Sequence, residues 1–398
     1  MSADSFEFSS SASRVATSPI RELFGLLDCP DIVSLASGLP SKEALDIDGL
    51  SKATSMAVKQ SAAVAFRYGA TAGYDPLREL LVQRERDKGI PAERGRLLVT
   101  SGSQQAIDLV CRILVNPGEN VVVEAPTRLG ALLTLRFQGA KLRAVVTDEE
   151  GIDVDELRRT AELHRPKLLY LIPSFSNPTG RITSLKRRKE ILWLAKEFRF
   201  YVVEDDPHSE LYFNEPPPPS LYALADDEER DWVIHISSLS KILAPGLRVA
   251  WLAAPQRLMG HLTTAKQLCD THTSMLSQLV VFHYLNGGSL EPALSRARRF
   301  YVAQSAVMSK AIRTELKGSA FKFARPEGGL FFWGRLEGLD TTKVLEDAIR
   351  SGVAFMPGAA FYTTDSVNDC LRLSFASATA EQIVTGVKHL AKVIDRWS

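Results

Sequence analysis

Lys241 is the side chain whose surroundings most suggest covalent chemistry. It stands in the segment SSLSKILAPGLR (237–248), a serine-rich turn that follows an apolar run. Its amine can form an imine with an aldehyde. The hydroxyls of Ser238 and Ser240, with the guanidinium of Arg248, can hold a phosphate. The segment therefore suits a ligand that carries both an aldehyde and a phosphate, although a lysine on a surface loop is the alternative interpretation.

A second anion-binding feature is predicted at Gly102-Ser103-Gln104. These residues end the apolar run RLLVT and open the helical pattern SQQAIDLVCRILV. The free N–H groups and the positive end of a helix can cradle a phosphate there. A Gly-Ser turn at a helix start is common, so by itself this feature is weak evidence for a phosphate site.

Three further polar residues stand at or within apolar runs. Asp205 in YVVEDDPHSELYF could keep a cationic ring nitrogen protonated, or it could be a solvated acid or a helix cap. Asn177 in LIPSFSNPTG could reach a phenolic oxygen, or it could cap its own turn. Arg372 in CLRLSFA is costly to bury unless it is paired, and it suits a carboxylate ligand or an internal salt bridge.

The elements that must position these residues form an α/β pattern. Apolar or β-branched runs alternate with helical stretches from about residue 97, and continuous apolar runs indicate strands covered on both faces. We expect a mostly parallel central sheet with helices on both faces, followed by a long helical segment over 256–316 and a smaller α+β domain. The predicted division is an N-terminal arm over 1–45, including a short helix in PIRELFGLL, a large domain over 46–285 and a small domain over 286–398. Ligands in such sheets lie at the carboxyl ends of the strands.

Composition narrows the classes of partner. The net charge of +1 gives no general electrostatic reason to bind nucleic acid or an anionic membrane surface. No apolar stretch is long enough to span a bilayer, and the first residues do not read as a signal peptide. Four scattered cysteines (Cys29, Cys111, Cys269 and Cys370) predict neither a disulfide framework nor a metal site. We therefore expect a cytoplasmic protein.

Taken together, the ordered motifs resemble the fold type I pyridoxal 5′-phosphate (PLP) enzymes, the aspartate-aminotransferase superfamily. The resemblance covers most of the chain and is strongest to the 2-aminoadipate and kynurenine aminotransferase group and to the aminotransferase-like domain of MocR-type regulators. The motifs that carry it are SLASGLP, YGATAGYDPLRELL, TSGSQQAIDLV, IPSFSNPTG, VEDD, SLSKILAPGLR, RPEGGLFFW and LRLSFA.

The resemblance implies a role for each motif residue. Lys241 would hold PLP as a Schiff base and move the substrate proton, and Asp205 would pair with the ring nitrogen. Asn177 would bind the ring oxygen and line the substrate site. The phosphate would be held by Ser103, Gln104, Ser238, Ser240 and Arg248, with Tyr68 reaching it from the neighbouring subunit of a homodimer. The substrate would be bound by Arg372 and Gly38 at its carboxylate, and by Arg21 at an acidic side chain.

Two residues depart from the family pattern around the cofactor ring. Arg128, in EAPTR, replaces the usual aromatic residue that stacks on the ring. His208 replaces a tyrosine three residues after the ring-pairing aspartate, and its charge is expected to change near neutral pH. Both are expected to contact the cofactor, and together they suggest altered chemistry or an unusual substrate.

The leading hypothesis is an aminotransferase that moves an amino group between an L-amino acid and a 2-oxo acid, with glutamate and 2-oxoglutarate as one pair. Elimination, replacement, decarboxylation or oxidative deamination with the same cofactor is the alternative that Arg128 and His208 motivate. A transcription regulator is disfavoured, because the aminotransferase pattern begins by Arg21 and leaves no room for a preceding DNA-binding domain.

Overall fold

The computed structural model describes residues 8–14, 31–319, 321–364 and 367–397. Arg21, Cys29 and the helix expected in PIRELFGLL lie outside these ranges. Among the described residues, no helix is long and apolar enough to cross a membrane.

The strands are numbered in chain order. They are β1 Val33–Ser34, β2 Leu97–Thr100, β3 Asn120–Ala125, β4 Lys141–Asp148, β5 Gly151–Ile152, β6 Leu168–Leu171, β7 Tyr201–Asp206, β8 Val233–Ser238, β9 Ala250–Ala253, β10 Phe321–Phe323, β11 Phe331–Leu336, β12 Val353–Ala354, β13 Met356–Pro357 and β14 Cys370–Ser374.

The helices fall before, within and after the central sheet. They are Ser10–Ser13, Ile47–Gln60, Ala62–Ala65, Asp75–Asp87, Ser103–Leu114, Leu129–Gln138, Val154–His164, Leu185–Phe198, Leu221–Leu224, Asp227–Arg230, Gln256–Asp270, Met275–Asn286, Leu290–Glu315, Thr341–Arg350 and Ala380–Trp397. The long helical segment expected over 256–316 is therefore three helices.

An eight-stranded sheet forms the centre of the protein, in the order β2-β9-β8-β7-β6-β3-β4-β5. Strands β8, β7, β6, β3 and β4 are parallel neighbours, while β9 is antiparallel to both β8 and β2. Because two antiparallel pairings restore the direction, β2 runs the same way as β8. The carboxyl ends of β2, β3, β6, β7 and β8 therefore meet at one edge, and the predicted fold class is confirmed.

Helices cover both faces of this sheet, which explains the continuous apolar runs. Val121 and Val123 of β3 pack into one core cluster, and Val122 between them packs into the other. Each strand thus needs apolar side chains at odd and even positions alike.

A second, antiparallel sheet has the order β10-β11-β14-β13 and lies in the C-terminal part of the chain. The helices Leu290–Glu315 and Ala380–Trp397 pack together beside it. Strand β1 pairs in parallel with β12, and the amide of Ser374 donates to the carbonyl of Leu35 at 2.7 Å. These bonds bring residues 33–38 beside Arg372. The domain boundary near residue 285 stays a prediction.

Candidate active site

Lys241 lies in the turn that follows β8, at the common edge of the parallel strands. Its Nζ donates to the carbonyl of Gly38 at 2.8 Å. Burial, followed by the positive charges of Arg128, Arg372 and Arg248, lowers the pKa of Lys241 to about 8. A lowered pKa leaves more neutral amine at neutral pH, and the neutral amine is the form that attacks an aldehyde.

Asp205 is fully buried, and it lies within β7 rather than after it. Its Oδ2 accepts from the hydroxyl of Tyr170 at 2.6 Å and from Nη1 of Arg128 at 2.7 Å. Its Oδ1 is buried and has no partner among the described residues. A buried carboxylate oxygen without a partner is costly, so this atom fits a donor on a bound ligand such as a protonated ring nitrogen.

The residues predicted to bind a phosphate surround the start of the helix Ser103–Leu114. No side chain caps its first turn, and the N-cap Gly102 has φ of 95°. A Cβ at Gly102 would lie only 2.0 Å from Nη2 of Arg248. The absence of that Cβ leaves room for the guanidinium at the positive end of the helix, a place that suits an anion.

Ser238 and Ser240, at the end of β8 and in the turn after it, lie on the other side of Arg248. The Ser238 hydroxyl donates to the Ser240 hydroxyl at 3.0 Å, and Nη1 of Arg248 donates to the same Ser240 oxygen at 3.4 Å. Arg248 itself is in the left-handed region, at φ of 55°. The hydroxyls and the guanidinium therefore lie in mutual contact.

A buried network supports the loop before this helix. The Ser101 hydroxyl donates to Asp270 Oδ2 at 2.8 Å, and Nζ of the fully buried Lys266 donates to the same carboxylate. The side chain of Gln105 also donates to Asp270, at 2.7 Å. These bonds fix the loop in which Gly102 takes its positive φ.

Arg372 is a buried cation in β14, 6% exposed. Its Nη1 donates to Asn177 Oδ1 at 2.8 Å and its Nη2 to the carbonyl of Ala36 at 2.7 Å. Its guanidinium carbon lies 4.1 Å from the ring centre of Phe331 and 5.0 Å from that of Phe361. Burial lowers the pKa of Arg372 to about 9.

The internal salt bridge considered for Arg372 is not found among the described residues. Both of its bonds go to neutral oxygens, and its buried Nε has no partner there. An uncompensated buried cation is unfavourable. The arrangement therefore suits an anionic ligand such as a carboxylate.

Asn177 joins this group through its side-chain oxygen. Because Oδ1 accepts from Arg372, the amide nitrogen stays available as a donor. Gly38 lies on the other side, where an added Cβ would be 3.1 Å from Phe331. Gly38 therefore approaches both Lys241 and the ring beneath Arg372.

His208 is buried and contacts the carbonyl of Phe175 through Nδ1 at 3.1 Å. Since a carbonyl only accepts, Nδ1 carries the proton, and Nε2 is an acceptor without a partner among the described residues. Burial, followed by the charges of Lys241 and Arg128, lowers the pKa of His208 to about 3. The expectation that His208 changes charge near neutral pH is wrong, because a further cation is unfavourable in this buried, positively charged site.

Tyr68 lies on the surface, 89% exposed, with its ring edge-on to His272 at 5.8 Å between centres. It makes no contact with Lys241 within the described part of the chain. Its predicted role requires a neighbouring subunit.

Three contributors to the site were not predicted from the sequence. Tyr170 stands in the apolar run KLLYLIPSF, and its burial alone would have required a hydrogen-bond partner. Phe331 and Phe361 flank Arg372 from β11 and from the turn Gly358–Phe361. Aromatic residues in apolar segments give no signal that distinguishes this contact from ordinary packing.

Comparison with known proteins agrees with this arrangement. Residues 30–390 match the family described as aminotransferase class I and II, so the chain belongs to that family. It is 39% identical over 394 residues to aromatic-amino-acid aminotransferase 1 of Thermococcus litoralis, covering 97% of this chain and 94% of that protein. It is 39% identical over 388 residues to 2-aminoadipate transaminase of Thermus thermophilus, covering 97% and 96%.

Solved structures show the same likeness. A kynurenine aminotransferase of Pyrococcus horikoshii, solved with PMP, superposes with a TM-score of 0.93 at 36% identity, covering 98% of this chain and 97% of that one. An α-aminoadipate aminotransferase of Thermus thermophilus, solved with N-(5′-phosphopyridoxyl)-L-leucine, gives 0.91 at 38% identity, with the same coverage. The chain is a PLP-dependent aminotransferase, which moves an amino group between an amino acid and a 2-oxo acid. The family assignment favours transamination over the alternative reactions considered from the sequence.

Proposed function

We propose that Lys241 binds PLP and carries the substrate proton, with Asp205 at the ring nitrogen and Arg372 at the substrate carboxylate. The observation that carries this proposal is the charge arrangement of one site. A lysine of lowered pKa shares it with a buried carboxylate oxygen and a buried guanidinium nitrogen, neither of which has a partner among the described residues. PLP, when bound, supplies an electron sink for the carbanion formed at the substrate Cα.

The chain's own groups divide the remaining work. Arg372 would hold the substrate carboxylate, and its bonds to Asn177 and Ala36 would keep the guanidinium plane fixed. Ser103, Gln104, Ser238, Ser240 and Arg248 would hold the phosphate. Lys241 would accept the proton from the substrate Cα and then donate it to the cofactor, because its lowered pKa makes the neutral amine accessible.

The substrate proposal draws on the relatives' names and on the residues. Their named substrates include aromatic amino acids, 2-aminoadipate and kynurenine. We propose a donor of this group with 2-oxoglutarate as acceptor, the latter received by Arg21, which lies outside the described residues. Arg21→Ala should then raise KM for acidic substrates and leave KM for aromatic donors unchanged.

A screen of amino donors against oxo-acid acceptors tests the proposed reaction. The purified enzyme should form the oxo acid of the donor and glutamate in equal amounts, as measured by chromatography. Lys241→Ala is the matched control and should abolish turnover. Ammonia released in place of glutamate would contradict transamination.

The thiols and the surface support two further parts of the proposal. Among the described residues, Cys111, Cys269 and Cys370 form no disulfide, which is consistent with the proposed reducing cytoplasm. Tyr68, Phe66 and Val64 expose apolar side chains on one surface segment, which supports a homodimer with Tyr68 reaching the partner's phosphate site.

A further inference from the structure

Arg128 occupies an unusual place, because its guanidinium is tied to the carboxylate proposed for the ring nitrogen. Nη1 lies 2.7 Å from Asp205 Oδ2 and 3.3 Å from the Ser103 hydroxyl, and Nη2 donates to Gln104 Oε1 at 3.3 Å. The side chain therefore joins Asp205 to the start of the phosphate-binding helix.

The fold around Arg128 holds this pose. Arg128 is the N-cap residue of the helix Leu129–Gln138, two residues before Gly130. A Cβ at Gly130 would lie 2.7 Å from Gln104 Oε1 and 3.5 Å from Arg128 Nε, so the missing side chain leaves room for both. The Gln104 amide donates in turn to the carbonyl of Gly130 at 3.1 Å.

The two oxygens of Asp205 have different environments. Oδ2 accepts from Arg128 and from the neutral hydroxyl of Tyr170, while Oδ1 has no partner among the described residues. A ligand can therefore bind at Oδ1 without displacing Arg128. Breaking the ion pair would leave a buried charge uncompensated, which is strongly unfavourable.

We propose that Arg128 keeps its ion pair with Asp205 in the cofactor-loaded enzyme and so weakens the preference of this site for a protonated ring nitrogen. Lys241, Arg372 and Arg248 add further positive charge from other elements, and no second carboxylate offsets them among the described hydrogen-bond partners of the site. The enzyme thus binds the ring with a carboxylate that is already neutralised. This inference rests on the proposed assignment of Asp205 to the ring nitrogen.

The test compares binding of PLP with binding of its 1-deaza analogue, in which a carbon replaces the ring nitrogen. Dissociation constants of both aldehydes are measured by titration of cofactor-free enzyme. The dissociation constant of the 1-deaza analogue divided by that of PLP is the ratio that reports how strongly the site favours the nitrogen. The phosphate and Schiff-base contributions cancel in this ratio. Removing a cation beside an ionised carboxylate should raise that preference by about 10-fold or more, the effect of a pKa change of about 1–3.

Two neutral replacements of different size, Arg128→Gln and Arg128→Tyr, should both raise the ratio. Arg128→Lys, which keeps the charge, should stay close to the wild type. Arg112→Gln removes an equally short ion pair, Arg112–Asp108 at 2.7 Å, far from the site, and should leave the ratio unchanged. Circular dichroism of each variant identifies one that fails to fold, and either neutral variant alone suffices for the comparison.

A second arm separates this inference from the proposed function. Asp205→Asn should lower the ratio to near one in both the wild-type and the Arg128→Gln background. If Asp205→Asn leaves the ratio unchanged even in the Arg128→Gln background, Asp205 does not meet the ring nitrogen and the proposed function fails. If Asp205→Asn lowers the ratio but the neutral Arg128 variants match the wild type, Arg128 leaves the pair on loading and this inference is overturned.

Discussion

At the scale of single residues, the site has an excess of positive charge. The pKa of Lys241 is lowered by three neighbouring cations, Arg128, Arg372 and Arg248. Asp205 is the carboxylate among the groups that raise it. Cations accumulate in this way where anionic ligands neutralise them. A phosphate and a substrate carboxylate are the two anions that the proposed function supplies, so cofactor and substrate each remove an electrostatic cost that the protein carries without them.

Replacing Arg372 by lysine should weaken substrate binding while keeping the charge. The planar guanidinium of Arg372 can donate to Asn177, to Ala36 and to a substrate carboxylate at the same time. The ammonium of lysine has fewer donors and no planar fork, so it cannot make all of these bonds. Loss of one charged hydrogen bond costs about 1.5–3 kcal/mol, so kcat/KM should fall by roughly 10- to 150-fold. Steady-state kinetics with the best donor measures the change.

The matched control is Arg335→Lys in the neighbouring strand. Arg335 is exposed and paired with Asp369 at 2.6 Å, on the same sheet as Arg372. This change should leave kcat/KM within about twofold, as expected for an exposed pair. Equal losses in the two variants would mean that Arg372 does not contact the substrate.

His208 should make the folded enzyme less stable as the pH falls. Its pKa is lowered from 6.5 to about 3 in the folded state, so the unfolded chain binds a proton that the folded protein excludes. The free energy of unfolding therefore decreases below pH 6.5, by about 1.4 kcal/mol per pH unit from this group. His208→Asn, which keeps a donor for the Phe175 carbonyl but does not titrate, should lose less stability between pH 7.5 and 5.5.

Denaturant midpoints of the cofactor-free proteins at the two pH values measure this difference. Other acids and histidines contribute equally to both proteins, so only the difference between them reports on His208. Parallel losses in wild type and variant would show that His208 is protonated in the folded state at pH 5.5.

At the scale of elements, the turn before the helix Ser103–Leu114 positions Arg248 in the proposed phosphate site. Gly102→Ala should raise the dissociation constant for PLP by about tenfold or more, because a methyl group there displaces Arg248. Gly118→Ala is the matched control: Gly118 also has positive φ, of 86°, but nothing lies within 4 Å of its added Cβ. Both variants should lose about 1–2 kcal/mol of stability from the backbone conformation alone.

Titration with PLP and thermal unfolding separate the two effects. A Gly102→Ala protein that is less stable yet binds PLP as tightly as the Gly118→Ala protein would exclude Arg248 and this turn from the phosphate site.

The sequence predicted the edge on which the site lies because buried strands leave continuous apolar runs. Polar residues where such runs stop, as at Ser238 and Asn177, are visible without a structure. Strand β4 was not predicted, because most of its side chains are exposed or only partly buried, so it leaves no continuous apolar run. Strand β9 was not predicted either. The contact of Arg128 with Asp205 joins residues 77 apart in the chain, and no local pattern encodes such a distance.

At the scale of the whole molecule, the chain near its N-terminus links the two sheets. Val33 and Ser34 pair with β12, and the next residues supply the carbonyls of Ala36 and Gly38 to Arg372 and Lys241. Residues 33–38 therefore connect the C-terminal sheet to Lys241, the proposed cofactor-binding residue, through direct hydrogen bonds. A movement of that sheet would alter both contacts together.

Self-association should bury the apolar surface around Tyr68. Phe66 is 68% exposed and Tyr68 89%, and exposed aromatic residues in one segment are typical of an interface. Light scattering should give twice the mass of the chain. Phe66→Asp should produce monomers, whereas Leu163→Asp, at a leucine 77% exposed on the helix Val154–His164, should not.

Tyr68→Phe tests the proposed contribution across the interface. The variant keeps the ring, so the dimer should persist, but it removes a hydroxyl that would donate to the partner's phosphate site. Loss of a hydrogen bond to a charged group costs about 1.5–3 kcal/mol, so the dissociation constant for PLP should rise roughly 10-fold or more. Phe66→Asp monomers should show a comparable loss at the same protein concentration. Monomers that bind PLP as tightly as the wild type would show that each site is complete within one chain.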